Sequence, residues 1–146
     1  LEVSIGSGRP FSSFGPGLEA YPPSPFTQIG LRVDREVLDR RIAERYRRQL
    51  DDGFLDEVRR LIDLPGGPSR SAAQALGYRE LLSHLRGECT LDGAIGEAIS
   101  ATRQFARRQE RWFRRDPRIE WLDVADDPLV VLDQVLERFD ATGQQR

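Results

Sequence analysis

Two short segments with the pattern of β-strands lie about 85 residues apart in this 146-residue chain, and most of what separates them has helical periodicity. Residues 26–33 and 119–124 are each rich in aromatic and β-branched residues. Two strands are too few for a self-sufficient sheet, and a long helical separation is typical of parallel strands. The sequence therefore predicts an α/β fold in the parent protein, of which this chain is a mostly α-helical part with two short strands.

The helices are predicted from their caps and their apolar spacing. Asp34 is a good N-cap for a helix over 35–51, and Gly53 separates it from a second helix over 54–62. A single helix is predicted from about residue 71 to Gly87, with Gly77 in its first part. A glycine inside a helix is unfavourable, so we expect a close backbone approach there, either to another helix or to a ligand.

The next predicted helix is long, begins after a Thr90 cap and ends at Asp116-Pro117, because a residue before proline leaves the helical region. Asp127 and Pro128 start a final helix. Its expected core residues are Leu129, Val130, Leu132, Val135, Leu136 and Phe139. Residues 1–25 are predicted to be a Gly/Pro-rich connecting segment, residues 26–140 the folded region and residues 141–146 a frayed tail.

The strongest local charge lies between Arg103 and Arg118, where seven arginines accompany two acids in a chain whose net charge is −2. On a helix most of these arginines share one side. The opposite side carries Ile95, Ala98, Ile99, Phe105, Ala106, Trp112 and Phe113, which we expect to pack on the core. All 22 basic residues are arginine, a bias that genome composition explains, so arginine usage alone does not indicate phosphate recognition.

Several classes of protein are disfavoured by the sequence. One cysteine and one histidine exclude an intrachain disulfide and make a zinc site a poor interpretation. No apolar run reaches the length of a membrane span and no signal peptide opens the chain, so we expect a cytoplasmic protein without membrane contact. The chain does not begin with methionine, and we expect Leu1 to be a processed or excised start.

Four motifs together resemble one family. They are LEVSIGSGRPFS at 1–12, DREVLDRRIAERYRRQLDDGFLDEVRRL at 34–61, ALGYRE at 75–80 and ATRQFARRQERWFRR at 101–115. In order and spacing they resemble the C-terminal half of bacterial tRNA dimethylallyltransferases. The resemblance implies a P-loop kinase-like parallel sheet with a helical insertion. It also implies transfer of a dimethylallyl group from dimethylallyl diphosphate to N6 of the adenine 3′ of the tRNA anticodon, with magnesium as cofactor.

The chain departs from the complete family in one respect. It contains no lysine and hence no G-x-x-x-x-G-K-[ST] phosphate loop. The resemblance places that loop, the catalytic aspartate, a diphosphate-side threonine and the magnesium ligands outside these 146 residues. We therefore expect no catalytic residue, no metal ligand and no transferase activity from this chain alone.

The resemblance also assigns residues to tRNA binding. These are Gln74, Ala75, Leu76, Gly77, Tyr78, Arg79, Arg107, Arg108, Gln109, Glu110, Arg111, Trp112, Phe113 and Arg114. Gly77 would let a phosphate or ribose approach the backbone, whereas Tyr78 fits a core position equally well. Trp112 and Phe113 are expected to pack on the core rather than to stack on bases. Glu110 is expected to form a local salt bridge. Arg103, with Arg41 or Arg45 as helper, is the candidate for the diphosphate side.

Two other functions remain compatible with the residues. One is a stand-alone helical RNA-binding module that uses the arginine-rich face. The other is a basic helix that docks on an acidic protein surface, such as residues 119–146, which hold seven acids and two arginines. For each of these functions, as for the enzyme, we expect the protein to be a monomer.

Overall fold

A computed structural model describes Gly6, Gly8, residues 20–125 and residues 127–143. Its helices are α1 (Arg35–Asp51), α2 (Phe54–Ile62), α3 (Arg70–Gln74), α4 (Tyr78–Leu85), α5 (Leu91–Phe113) and α6 (Leu132–Gly143). The strands are β1 (Gln28–Val33) and β2 (Ile119–Val124), and a 3-10 turn spans Pro128–Val131. The predicted fold class, mostly helical with two short strands, is confirmed. Most of the predicted connecting segment lies outside the described residues.

The chain divides into two compact units, Asp34–Gln109 and a discontinuous unit formed by Leu1–Val33 with Glu110–Arg146. In the first unit the predicted four-residue spacing of α1 is confirmed. Ile42 and Tyr46 are buried, while Leu38 and Leu50 pack beside them. The Asp34 side chain caps the helix by accepting from the N–H groups of Glu36 and Val37. The buried residues of this core are Ile42, Tyr46, Phe54, Val58, Leu81, Leu82 and Ala98.

One buried polar contact joins α1 to α5 within this unit. The Tyr46 hydroxyl and Thr102 Oγ1 are 2.9 Å apart, and Thr102 also donates to the Ala98 carbonyl at 2.8 Å. Both hydroxyl groups are thereby satisfied without water, as a buried polar group requires.

The single helix predicted over 71–87 is wrong. Two helices, α3 and α4, occupy this stretch and are separated by a turn at Ala75–Gly77. Ala75 is extended, and Gly77 has φ +89° and ψ −47° at the N-cap of α4. Hence Gly77 does not lie in a helix interior, and the energetic cost of placing a glycine inside a helix does not apply to it.

The long basic helix is also shorter than predicted. The Thr90 cap is confirmed, because its hydroxyl accepts from the Gly93 N–H at 3.1 Å. However, α5 ends at Phe113, and i→i+3 bonds from the Arg115 and Asp116 N–H groups follow. The Asp116 carboxylate accepts from the Arg118 N–H and guanidinium, which fixes a local turn in place of further helix.

The strands of the second unit pair directly with each other, with Gly30 opposite Trp121 and Val33 opposite Val124. Their parallel orientation was predicted, but their direct pairing was not. A Cβ atom on Gly30 would lie 2.7 Å from the Trp121 ring and 2.9 Å from Ile119 Cγ2. Glycine is therefore needed at position 30 so that the indole of Trp121 can lie across β1.

The predicted core face of the final helix is wrong. Leu129, Val130, Leu132, Leu136 and Phe139 are exposed, whereas Val131 is buried and Val135 packs against Leu122 and Val124. A two-stranded sheet offers too little area to cover that helix. An apolar groove of about 670 Å³, lined by β1, β2, Phe113, Val135 and Phe139, results.

Candidate nucleic-acid interface

The segment 74–79 forms the turn between α3 and α4. Gln74, Ala75 and Arg79 are exposed, Leu76 and Tyr78 are half-buried, and Gly77 is buried. Backbone bonds from the Arg79 N–H to the Ala75 carbonyl and from the Leu81 N–H to the Gly77 carbonyl close the turn. The structure therefore brings Gln74, Ala75 and Arg79 to the surface and turns Gly77 inward.

Gly77 serves packing, which corrects the expectation that its backbone admits a phosphate. A Cβ atom there would lie 3.1 Å from ring atoms of both Phe54 and Tyr46. Its N–H donates to Glu80 Oε2 at 2.8 Å. Since this donor is already used, an anion cannot bind to it without displacing Glu80.

Glu80 is a functional candidate that sequence reasoning missed. It is buried in a protein whose carboxylates are mostly exposed. Besides the Gly77 N–H, it accepts hydrogen bonds from the Arg79 guanidinium through Oε1. The signal was present, because a glycine followed three residues later by a glutamate has the spacing of a capping box.

Tyr78 has both a packing role and a polar one. Its ring meets Phe54 edge to face at 4.9 Å between centroids, and its hydroxyl donates to Glu57 Oε1 at 2.6 Å. The hydrogen bond to Glu57, helped by partial burial, raises the pKa of Tyr78 above its ordinary value. Tyr78, Glu57 and Leu76 line a cleft of about 200 Å³.

The second candidate group lies on α5 and just beyond it. Arg108, Gln109, Arg111 and Arg114 are exposed, and Arg107 is half-buried. Glu110 forms the predicted local salt bridge, with Arg114 Nη2 at 2.6 Å from its Oε1. Because Arg114 follows the last residue of α5, the cationic row on the helix itself is formed by Arg107, Arg108 and Arg111.

The aromatic residues near the end of α5 are not packed as predicted. Trp112 is 54% exposed and Phe113 48% exposed. Phe105 is also exposed, and the Arg108 guanidinium lies 5.9 Å from its ring centroid. Phe105 faces solvent because the core of Asp34–Gln109 meets α5 in its first half, at Leu91, Ile95, Ala98 and Ile99. Exposed rings beside arginines are suited to stacking with bases.

Arg118 does not extend the cationic row. Its guanidinium binds the Asp116 carboxylate and the Pro22 carbonyl, and it lies 5.5 Å from the Tyr21 ring centroid. The hydrogen bond to Arg118 lowers the pKa of Asp116, and the same bond raises the pKa of Arg118. Arg118 is therefore occupied by local contacts.

The three candidates for the diphosphate side lie in one unit. Arg103 of α5 donates to the Asp39 carbonyl of α1 at 3.0 Å, and its Nε is 3.5 Å from the Asp39 carboxylate. That Nε is enclosed and has no hydrogen-bond partner among the described residues. Arg41 is half-buried, whereas Arg45 is exposed and lies over the Tyr46 ring at 5.8 Å. Arg103 thus links α5 to α1 through its contacts with Asp39.

Within the described ranges, no group of three or more His, Cys, Asp or Glu side chains is arranged to hold a metal ion. Across those ranges, none of the helices combines the length and the apolar character that a bilayer crossing requires.

Comparison with known proteins decides the family. A family model described as IPP transferase matches residues 1–116. The chain belongs to this family. The family predicted from the four motifs is thereby confirmed, and the matched residues include both the 74–79 turn and the arginines of α5.

Relatives in the IPP transferase family are similar over most of this chain. A tRNA dimethylallyltransferase of Paenarthrobacter aurescens is 51% identical over 130 residues, which cover 89% of this chain and 42% of the relative. One of Streptomyces avermitilis is 46% identical over 135 residues, covering 92% and 43%. The chain thus spans about two fifths of the length of the curated relatives it matches.

Solved structures of two family members resemble the fold. The full-length tRNA isopentenylpyrophosphate transferase of Bacillus halodurans superposes with a TM-score of 0.72 at 29% identity, over 84% of this chain and 42% of that one. The tRNA delta(2)-isopentenylpyrophosphate transferase of Staphylococcus epidermidis gives 0.70 at 29% identity, over 79% and 38%. The similarity therefore extends from the motifs to the arrangement of helices and strands.

Proposed function

We propose that this chain is the tRNA-binding part of an enzyme that transfers a dimethylallyl group from dimethylallyl diphosphate to N6 of the adenine 3′ of the anticodon. The observation that carries the proposal is the arginine row of α5, with Arg108 and Arg111 exposed and Arg107 half-buried, in a chain whose relatives are named tRNA dimethylallyltransferases. Arginine donates bidentate hydrogen bonds to phosphate and stacks on bases, so this row suits the anticodon arm.

The geometry of α5 supports contact with more than one phosphate. Arg107 and Arg111 are separated by one turn, about 6 Å along the axis at 1.5 Å per residue. Trp112 and the Phe105–Arg108 pair add exposed π surfaces on which unpaired loop bases can stack. The anticodon loop offers phosphates and unpaired bases together, which a regular RNA duplex does not.

In the proposed reaction the exocyclic amine attacks the allylic carbon, diphosphate departs and the amine loses a proton. An enzyme cannot reach N6 of an adenine that is stacked between other bases, so the adenine must be extruded. A protein that binds the phosphates on either side of it assists that step. The described residues do not fit a metal site, so we derive no step through magnesium. We assign catalysis, the P-loop and magnesium binding to parts of the enzyme other than this chain.

Arg103, Arg41 and Arg45 remain proposals for the leaving diphosphate. An Arg103→Ala enzyme with unchanged turnover and unchanged affinity for dimethylallyl diphosphate would remove Arg103 from that role. We further propose that the protein acts as a monomer in the cytoplasm, where its tRNA substrate is located.

The proposal is tested by measuring tRNA binding over a salt series with the protein as its gene encodes it. Log affinity falls as log salt rises, and each lost phosphate contact reduces the steepness of that fall by about 0.7–0.9. Arg107→Ala/Arg111→Ala should therefore lower it by about 1.4–1.8 and reduce tRNA prenylation. The matched control, Arg47→Ala/Arg48→Ala on α1, removes the same charge and should leave the slope nearly unchanged.

The outcomes also separate the alternatives. Equal slopes for the two double variants would refute the α5 interface and favour docking on an acidic protein surface. Salt-dependent tRNA binding by a protein that transfers no dimethylallyl group would favour the stand-alone RNA-binding module.

A further inference from the structure

We propose that Glu80 is a positioning residue: its buried carboxylate holds the Gly77 turn and the Arg79 guanidinium in the orientation with which Arg79 contacts tRNA. The proposal rests on the tRNA-binding function above and goes beyond it by assigning a role to a residue that does not itself touch RNA.

The two oxygens of Glu80 serve different partners. Oε2 accepts from the Gly77 N–H at 2.8 Å, and Oε1 accepts from Arg79 through both Nε, at 3.0 Å, and Nη2. The Glu80 side chain is 2% exposed and that of Arg79 58%. A buried charge is costly unless it is hydrogen-bonded and paired, and here both conditions are met.

Capping alone does not require a charge at position 80. Glutamine serves at the third helical position of a capping box as glutamate does, because one side-chain oxygen satisfies the N-cap N–H. A neutral amide would also be less costly to bury. Among the described residues the second oxygen of Glu80 accepts hydrogen bonds from Arg79 alone. A glutamine has one acceptor oxygen and could not accept from both Gly77 and Arg79, so the Arg79 contact is what distinguishes glutamate from glutamine at this oxygen.

The contact leaves a defined part of Arg79 available. The hydrogen bonds that the guanidinium donates to the described residues use Nε and Nη2, and Nη1 donates to none of them. The Arg79 side chain is 58% exposed, so a phosphate oxygen can bind at the remaining N–H groups. Fixing a long side chain before binding lowers the entropy lost on binding.

The neighbouring residues hold the turn from its other side. The Tyr78 hydroxyl donates to Glu57, and the Tyr78 ring packs on Phe54, whose ring would lie 3.1 Å from a Cβ atom on Gly77. Since Gly77, Tyr78 and Arg79 are each fixed by a contact outside the turn, Arg79 projects from a rigid base.

The test compares Glu80→Gln, Arg79→Ala and the double variant by tRNA affinity, using the protein as its gene encodes it. Arg79→Ala should weaken binding by roughly two- to five-fold, the range of a solvent-exposed ionic contact. Glu80→Gln should weaken it by a similar factor. In the Arg79→Ala background Glu80→Gln should have no further effect, because its influence passes through Arg79.

The direction of the Glu80→Gln effect separates positioning from simple electrostatics. Removing a negative charge near bound RNA should tighten binding if only net charge matters. The proposal is overturned if Glu80→Gln binds tRNA as tightly as the unmodified protein or more tightly. Equal weakening with and without Arg79 would equally overturn it, since that result indicates general loss of structure.

Arg79→Lys is a second variant that leaves Glu80 intact. It keeps the charge but loses the planar fork, so it should bind tRNA more weakly than the unmodified protein, and full affinity would refute the orientation argument. If Arg107→Ala/Arg111→Ala weakens binding while the position-79 variants do not, only this inference fails. If none of these variants matters, the proposed function fails as well.

Discussion

Replacing Gly77 with alanine tests the packing of the turn on which the candidate tRNA segment depends. At φ +89° and ψ −47° the residue occupies a backbone region that side chains rarely adopt. The added Cβ would also lie 3.1 Å from ring atoms of Phe54 and Tyr46. Strained backbone costs about 1–3 kcal/mol and overpacking a core typically another 1–3 kcal/mol. We expect Gly77→Ala to lower the free energy of unfolding by about 2–6 kcal/mol.

The control is Gly53→Ala. Gly53 also has a positive φ, +94°, but a Cβ atom there meets nothing within 4 Å. It should cost about 1–2 kcal/mol, the penalty of a left-handed backbone alone. Urea denaturation followed by far-ultraviolet circular dichroism measures both. Equal losses for the two variants would refute the crowding argument.

A double variant with Phe54→Leu locates the crowding. Removing the ring edge should relieve part of the Gly77→Ala strain, so the two substitutions together should cost less than the sum of their separate effects. Strict additivity would show that Phe54 does not limit the space at Gly77.

Two further predictions concern aromatic residues. Gly30→Val should displace the Trp121 ring from β1, because a Cβ there would lie 2.7 Å from it; in a Trp112→Phe background we expect red-shifted tryptophan emission, and unchanged emission would contradict the contact. Tyr78 should ionise above its ordinary pKa of 10.0, because the folded state favours the neutral phenol. The stability that this contributes is present below pH 10.0 and is lost as the pH rises through the raised pKa of Tyr78. Glu57→Ala removes the acceptor and should return the pKa toward 10.0 in an ultraviolet titration, and an unchanged titration would exclude the Glu57 hydrogen bond as its cause.

The elements that could be predicted from the sequence are those with local causes. Asp34 caps α1 and the four-residue spacing from Leu38 sets its buried face, so both were evident from the chain. The parallel orientation of β1 and β2 followed from their separation, whereas their direct pairing did not. The exposed basic face of α5 was likewise visible in its arginines.

The parts that were predicted wrongly depend on contacts distant in sequence. Gly77 was placed in a helix because nothing nearby shows that Phe54 and Tyr46 crowd its α-carbon. Phe113 and Phe139 were expected in a core, yet they line a groove because two strands cannot cover them. The role of Glu80 was missed because hydrophobic periodicity treats a charged residue as exposed, whereas a capping carboxylate is buried by the turn it holds.

The parallel pairing of β1 with β2 has a consequence for synthesis of the chain. About 85 residues separate the end of β1 from the start of β2. At about 5–20 residues per second a ribosome needs roughly 4–17 s to add them. During that interval β2, the strand that pairs with β1 among the described residues, has not yet been made, whereas Asp34–Gln109 forms one compact unit from a single contiguous segment. Arg32, which later binds Asp123, places a charge on β1 and disfavours pairing with another nascent chain while it waits.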